Sequence, residues 1–587
     1  MHYELNKWRG ALFCLCLAFA AAGCSMSDDM ECPPDPAGGG TGKAYIQLSF
    51  RMADAQGTRF DPDGGENGDG NEAGQDYENK VSTAVAFLFD GNVSVNGPAD
   101  TDVIPVYFST VNTDPQGPDT HYVTATQQAD VENGKYNVIV VANPGDDQWW
   151  NTPGLKLGPL RDKILKTAWR ENNGTYSDFL MASADEPTQI LVIENNPEDH
   201  PATTTVNVER MAARVDYRAD NSYSCTDPTY TGATVEITGA TIVNRLTAGS
   251  YLLKRVADDI NGANLEYLGD ELPLGVDAGV QTNYVLDPWT ALKTQANLAG
   301  TPFTVDGLDV AASALYDQET YIPTRSDNPE DWADYCKAGD YDATEDDYLR
   351  VGYALENTTG KLETSLNYNT GIVFKAKFHP QGVDGYTDDN TFFTYNGTIY
   401  PSLTSMMGQL NTQADFATYA KDEIAKLTTW DGLKGFANSL NDPTGYGDYL
   451  TGYADEHSSE TFTPTANELT WTYYLYNKLG VVEDAQNGPE INQNGVETRA
   501  KLYESSNELL RTYYKGQCYY IWWLRHSNDG EDTTNGVMEY AVVRNNIYKV
   551  NVESIYSLGG DIPDNEQIKA RVYVNKWTML ENEDLPM

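Results

Sequence analysis

The chain has 587 residues, with 39 Lys and Arg against 87 Asp and Glu, and a formal net charge of −48. A surface of that sign repels phosphate backbones and argues against a nucleic-acid partner; it reads instead as solvation and resistance to clumping. Hydrophobic residues are 40 % and aromatic residues 11 % of the chain, enough for more than one buried core, and its 39 tyrosines favour strands with one wet face.

Residues 1–23 read as a targeting segment. Lys7 and Arg9 form a charged start, residues 11–22 a short apolar core, and Ala21-Ala22-Gly23 stand directly before Cys24. The apolar run is too short for a permanent membrane span. Small residues before a cysteine resemble the bacterial lipoprotein processing site, which would leave Cys24 as a lipidated N-terminus; the alternative is an ordinary signal peptide cut nearby. Ser25-Met26-Ser27-Asp28-Asp29 resembles an acidic tag that sends some lipoproteins to the outer face of the outer membrane.

Residues 25–43, rich in Pro and Gly, form a tether. In residues 44–51, Ile46, Leu48 and Phe50 alternate with Gln47 and Ser49, which predicts a strand with one face in a core. A loop follows and ends at Arg59. Residues 61–76 are almost wholly Gly, Asp, Glu and Asn. As a calcium loop they would use Asp61, Asp63, Asp69 and Glu72, but Glu66 stands where the tight turn needs glycine. A flexible acidic linker is the better reading.

Strands are expected over 81–89, 103–108, 136–143, 190–193, 203–208 and 211–217, with a short helix over 160–169. This N-terminal β-domain runs over 60–218. In the larger part, 219–587, strands are expected over 234–243, 251–256, 283–286, 352–358 and 371–378. Thr412-x-x-Asp415 reads as a capping box for a helix with Phe416, Ala420, Ile424 and Leu427 on one face. A second helix is expected over 496–510 and a hairpin from 519–524 and 538–543. Alternating strands are expected over 548–553 and 568–577, with residues 559–563 as a flexible lead between them.

The chemistry-bearing residues are scattered. His121, His200, His379, His457 and His526 sit in no metal or nucleophile-plus-base spacing. Cys32, Cys225, Cys336 and Cys518 are far apart; isolated buried thiols are expected, and one disulfide stays open. No nucleophile elbow, phosphate loop or dinucleotide fingerprint occurs, so the chain reads as a non-enzyme with no cofactor and no metal. Trp149-Trp150 and Trp522-Trp523 read as core residues more than carbohydrate platforms, because neighbours in a strand point to opposite faces.

Several stretches together resemble the fimbrillins, the lipoprotein-derived pilins of type V fimbriae, and most closely the major subunit of the short-fimbria kind. They are the lipobox at Cys24, the strand 44–51 with its arginine loop, 81–89, 136–143, 211–215, Asp287-Pro288, Leu355-Glu356-Asn357-Thr358, 371–378 and the end from 538 to 577. The resemblance implies a mainly β fold of two tandem transthyretin-like sandwiches, with a few helices inserted in the C-terminal domain. It implies export as a lipoprotein anchored to the outer membrane, then a cut by an arginine-specific protease within the tether-and-strand region 24–59. The first strand (Ile46, Leu48, Phe50) would leave, and a neighbouring copy's C-terminal strand would fill its groove by donor-strand exchange. Copies would join head to tail in a surface fimbrium, with accessory fimbrial subunits, supporting adhesion, biofilm or colonisation.

Carried over by position, the scissile bond follows Arg59, with Phe60 as the new N-terminus and Arg51 as the rival. The donor is the last strand, with Val572, Val574, Trp577 and Met579 as its side chains, released on the Gly559-Gly560 lead. The acidic tail 581–584 departs from the pattern. The alternatives are an accessory or tip fimbrial adhesin, or a surface glycan-binding lipoprotein.

Overall fold

The computed structural model describes residues 43–52, 71–114, 121–184, 186–193, 196–247, 249–257, 265–268, 284–289, 303–305, 308–310, 315–317, 319–322, 329–341, 347–358, 368–388, 390–413, 415–478, 481–484, 488–491, 510–526, 538–563 and 568–578. Cys24, Cys32, Arg59, Phe60, Met579 and the helix expected over 496–509 lie outside them. No helix among the described residues is long and apolar enough to cross a membrane.

The fold is mainly β. The first eleven strands used below are β1 (Lys43–Met52), β2 (Asn71–Ala73), β3 (Ala84–Asp90), β4 (Ile104–Phe108), β5 (Val111–Asp114), β6 (His121–Thr124), β7 (Gln127–Asp130), β8 (Gly134–Ala142), β9 (Met181–Ser183), β10 (Thr188–Val192) and β11 (Ala202–Arg210). All except β2 form one ten-stranded sheet in the order β4-β3-β8-β9-β11-β1-β6-β5, with β10 on β8 and β7 on β1. The run Ala84-Val85-Ala86-Phe87-Leu88 in β3 is buried throughout, because the sheet carries a core on each face. One core gathers the inner face of β1 with Ala84, Ala86 and Leu88 of β3 and Val138 and Val140 of β8.

The second half is a two-sheet sandwich. Its strands are β12 (Ala212–Arg218), β13 (Thr234–Val243), β14 (Leu349–Leu355), β15 (Gly371–His379), β16 (Gln517–Trp523), β17 (Asn546–Ile555) and β18 (Ile568–Thr578). One sheet runs β2-β18-β17-β12-β14 and ends in Asp340–Tyr341; the other runs from Tyr223–Ser224 through β13-β15-β16. Val215, Val550, Val572 and Val574 from the first sheet meet Val235, Phe374 and Tyr520 from the second in a shared core. Four helices, α1 (Leu403–Leu410), α2 (Phe416–Ala425), α3 (Trp430–Ala437) and α4 (Tyr446–Glu456), pack beside it around a separate aromatic core.

Several local expectations differ. Residues 211–217 do not close the first sheet: β12 pairs with β14 and β17, so the chain passes from one sheet system to the other at Met211. Only Leu157–Arg161 is helical in the 160–169 region, and Ile164–Leu165 pairs instead with Ser250–Tyr251. Helix α2 is capped by Asp415, whose side chain accepts from the Thr418 amide; Phe416, Ala420 and Ile424 are buried as expected. Residues 538–543 form no hairpin with β16. That strand is taken by β15; Val542 bridges Asn357, and beyond β16 the His526 amide donates to the Glu539 carbonyl at 2.7 Å.

Trp150 is buried and Trp149 half-buried, stacked at 5.7 Å on Tyr107 and Phe87 respectively; their packing leaves no flat platform of two rings. Cys225, Cys336 and Cys518 are buried thiols. Burial pushes the Cys336 thiol up to about 12, so it is inert as a nucleophile.

Candidate strand-exchange site

The site is built around β1. Its alternation places Ala44, Ile46, Leu48, Phe50 and Met52 on the buried face, and Ile46, Leu48 and Phe50 are 0 % exposed. β1 is an interior strand. It runs parallel to β11, with Ile46 opposite Ala202 and Met52 opposite Val208. On its other side it is antiparallel to β7 (Lys43 opposite Asp130) and to β6 (Phe50 opposite Tyr122). The Phe50 and Tyr122 rings stack at 5.1 Å.

Polar contacts supplement the ladder without dominating it. The Leu48 amide donates to Thr124 Oγ1 at 2.9 Å, Gln47 Nε2 to the Thr124 carbonyl at 3.2 Å, and Arg51 Nε to Asn207 Oδ1 at 3.0 Å. The Lys43–Asp130 pair, 3.9 Å apart, is exposed to solvent. Tyr122 donates to the Asn79 carbonyl, and burial pushes its phenol up to about 12 despite the nearby Arg210.

Of the two arginines singled out, Arg51 lies inside β1, opposite Asn207 in the ladder. A protease acting there would have to open the strand first. The stretch that carries Arg59 begins immediately after Met52 and returns to described structure at Asn71.

That return point is a buried polar knot. Glu72 lies in β2, and its carboxylate accepts from Arg214 Nη2 at 2.6 Å and Lys549 Nζ at 2.7 Å. Arg214 also donates to Glu78 at 3.2 Å and to Asp216 at 2.7 Å. Tyr353 donates to Glu78, and Arg210 donates to Asn79 Oδ1. The three carboxylates hold the Arg214 guanidinium well above its usual range against desolvation, while burial lowers Arg210 to about 10. Sequence reasoning placed Glu72 among calcium-loop candidates; here it is saturated by two cations. Among the described residues, no group of three or more His, Cys, Asp or Glu is arranged to hold a metal ion.

The C-terminal strand is bonded on both sides. β18 pairs antiparallel with β17 from Asn546 opposite Lys576 to Ile555 opposite Ile568. β2 pairs with it in parallel, Asn71 opposite Lys576 and Ala73 opposite Thr578. Val572 and Val574 are buried in the chain's own sandwich core. Trp577 lies in β18 opposite Glu72 in the pairing with β2, and Met579 lies outside the described residues.

The residues 559–563 are a pinned segment, contrary to the flexible lead expected. Tyr519 and Gly560 exchange both backbone hydrogen bonds at 2.8 and 3.0 Å. The Gly559 amide donates to the Tyr520 hydroxyl at 3.0 Å, and a Cβ on Gly559 would lie 2.6 Å from the Tyr519 carbonyl oxygen. Asp561 is buried and accepts from the Thr512 amide at 3.0 Å. Glycine here serves close backbone approach.

The protein is mainly β, and β1 is an interior strand of unbroken alternation followed in the sequence by the segment that carries Arg59. The family model "Major fimbrial subunit protein type IV, Fimbrillin, C-terminal" matches residues 511–583. No curated protein matches the chain. Solved structures similar to it include the tip fimbrial protein Mfa3 of Porphyromonas gingivalis with a C-terminal truncation (10 % identity, 91 % of this chain and 100 % of that one, TM-score 0.30). A fimbrilin (fimA) of Porphyromonas gingivalis is another (12 % identity, 92 % and 99 % coverage, TM-score 0.27).

Proposed function

We propose that the chain is a structural subunit of a surface fimbria, exported as a lipoprotein on Cys24, cut after Arg59 and joined to other copies by strand exchange. The observation that carries this reading is β1: a strand bonded on both edges and inserting an unbroken apolar row, with an arginine-bearing segment directly behind it. The fimbrillin match at 511–583 supports the family side of it.

The physics is strand replacement. Burying each of Ile46, Leu48, Phe50 and Met52 is worth roughly 1.5–3 kcal/mol. A cut therefore does not by itself expel β1; the strand stays seated until a competitor offers the same backbone bonds and a similar apolar row. Once empty, the groove presents unpaired N–H and C=O groups on β11, β6 and β7. Because donor and acceptor are different surfaces, the contact is head-to-tail and extends into a filament. Partners on this reading are other copies of the chain, accessory fimbrial subunits and an arginine-specific protease, and the location is the cell surface.

Low-dose trypsin on purified precursor tests it. The expected result is a new N-terminus at Phe60 and a ladder on unheated gels. Arg59→Ala should remain an uncut monomer. Filaments of normal length from that variant would remove Arg59 as the site, and a ladder from protein lacking residues 572–587 would remove the C-terminal strand as donor.

A further inference from the structure

The two segments tied to assembly touch each other within one subunit. β2 is the first described residue run after the connector from β1, and its neighbour in the sheet is the end of β18. β17 pairs with β18 only as far as Lys576, so β2 is the strand that covers the end of β18 over Lys576–Thr578. A three-residue strand has little hold of its own. What fixes β2 is the Glu72 carboxylate, which reaches over the sheet to Lys549 on β17 and Arg214 on β12 at 2.7 and 2.6 Å. Behind it, Glu78 is fully buried against Arg214 and Tyr353, and Asn79 is held by Arg210. Arg214 and Lys549 pair with Glu72, Glu78 and Asp216, and Arg210 adds a third positive charge near Glu78.

We propose that residues 71–79 are an autoinhibitory latch that holds the end of β18, Lys576–Thr578, and so withholds the C-terminal strand from a neighbouring subunit. The inference rests on the reading of β18 as a donor. Every contact of the latch lies downstream of both Arg51 and Arg59, so a cut at either arginine severs the chain behind β1 but leaves the latch closed. Opening the acceptor groove and releasing the donor strand are then separate events. The first needs proteolysis and a competing strand, and the second is set by Glu72.

Hydrogen exchange on the full chain tests the latch without requiring assembly. In Glu72→Gln, amide protection over 574–578 should fall at least tenfold, while protection over 546–553 and 44–51 stays within twofold of the parent. Lys549→Met, which removes the other end of one ion pair, should shift the same amides in the same direction. Unchanged protection over 574–578 in both variants overturns the latch, as does an equal loss across the whole C-terminal sheet. On trypsin-cut protein, Glu72→Gln should ladder several-fold faster than the parent. Faster exchange with an unchanged laddering rate overturns the withholding role. Failure of the donor reading is a different result: cut parent protein gives no ladder at all, and the exchange data alone then judge the latch.

Discussion

Strands β1 and β18 are both long and both alternate, yet the molecule holds them by different physics. β1 sits inside its sheet and is held by two backbone ladders and an apolar face, with its ion pair out in solvent. β18 sits one strand from an edge, and the cap on that edge is locked by buried charge. Apolar contacts and strand bonds are non-specific, so any alternating strand of similar volume can reproduce them. A buried ion cluster is specific, and removing one member leaves the others uncompensated. The first arrangement suits an occupant that is to be exchanged, the second a boundary that is to be kept.

The comparison can be broken at its strongest point by Arg214→Met. Glu72, Glu78 and Asp216 would then face one another without their shared guanidinium, costing about 3–5 kcal/mol. Urea unfolding should show this as a lower midpoint, with hydrogen-exchange loss concentrated in β12, β17 and β18; a loss confined to β1 would refute the assignment. Next in size is Leu48→Ala, a buried truncation worth about 3 kcal/mol. After the cut, the released β1 peptide should dissociate roughly a hundredfold faster, read by size exclusion and mass spectrometry. Dissociation at the parent rate would mean that the apolar row is not what seats β1.

Tyr122 gives a pH test. Its folded value is raised from the ordinary 10.0 to about 12 by burial. The folded state therefore keeps a proton that the unfolded chain releases. Its contribution is fully present below pH 10 and is lost as pH rises towards 12, on the order of 3 kcal/mol. Thermal unfolding should show a drop across that window that Tyr122→Phe reduces; an identical drop in the variant would place the titration elsewhere. The smallest effect belongs to Lys43→Gln, which removes an exposed ion pair and should change stability by less than about 0.5 kcal/mol.

The alternation of Ile46, Leu48 and Phe50, the strands at 81–89 and 136–143, and the amphipathic face of α2 were legible in the sequence because each depends on residues close together in the chain. The route of β12 was not. Its buried Ala213, Val215 and Tyr217 fit either sheet, and pairing with β17 joins residues more than 300 positions apart. Gly559-Gly560 read as a flexible lead because glycine permits both freedom and close packing; only the nearby Tyr519 and Tyr520 decide between them. Glu72 was hidden for the same reason, as one acid in a run of acids until Arg214 and Lys549 are brought to it.

The sequence by itself thus determined the mainly β character, the strand behind the tether and the position of its arginines, since periodicity and punctuation are local properties. Tertiary structure decided that β1 is interior, that β2 covers the end of the C-terminal strand, and that the half-buried Glu72 is gathered with five buried charges. Those outcomes depend on which distant strands pair and on which charges they bring into contact, and no local pattern encodes either.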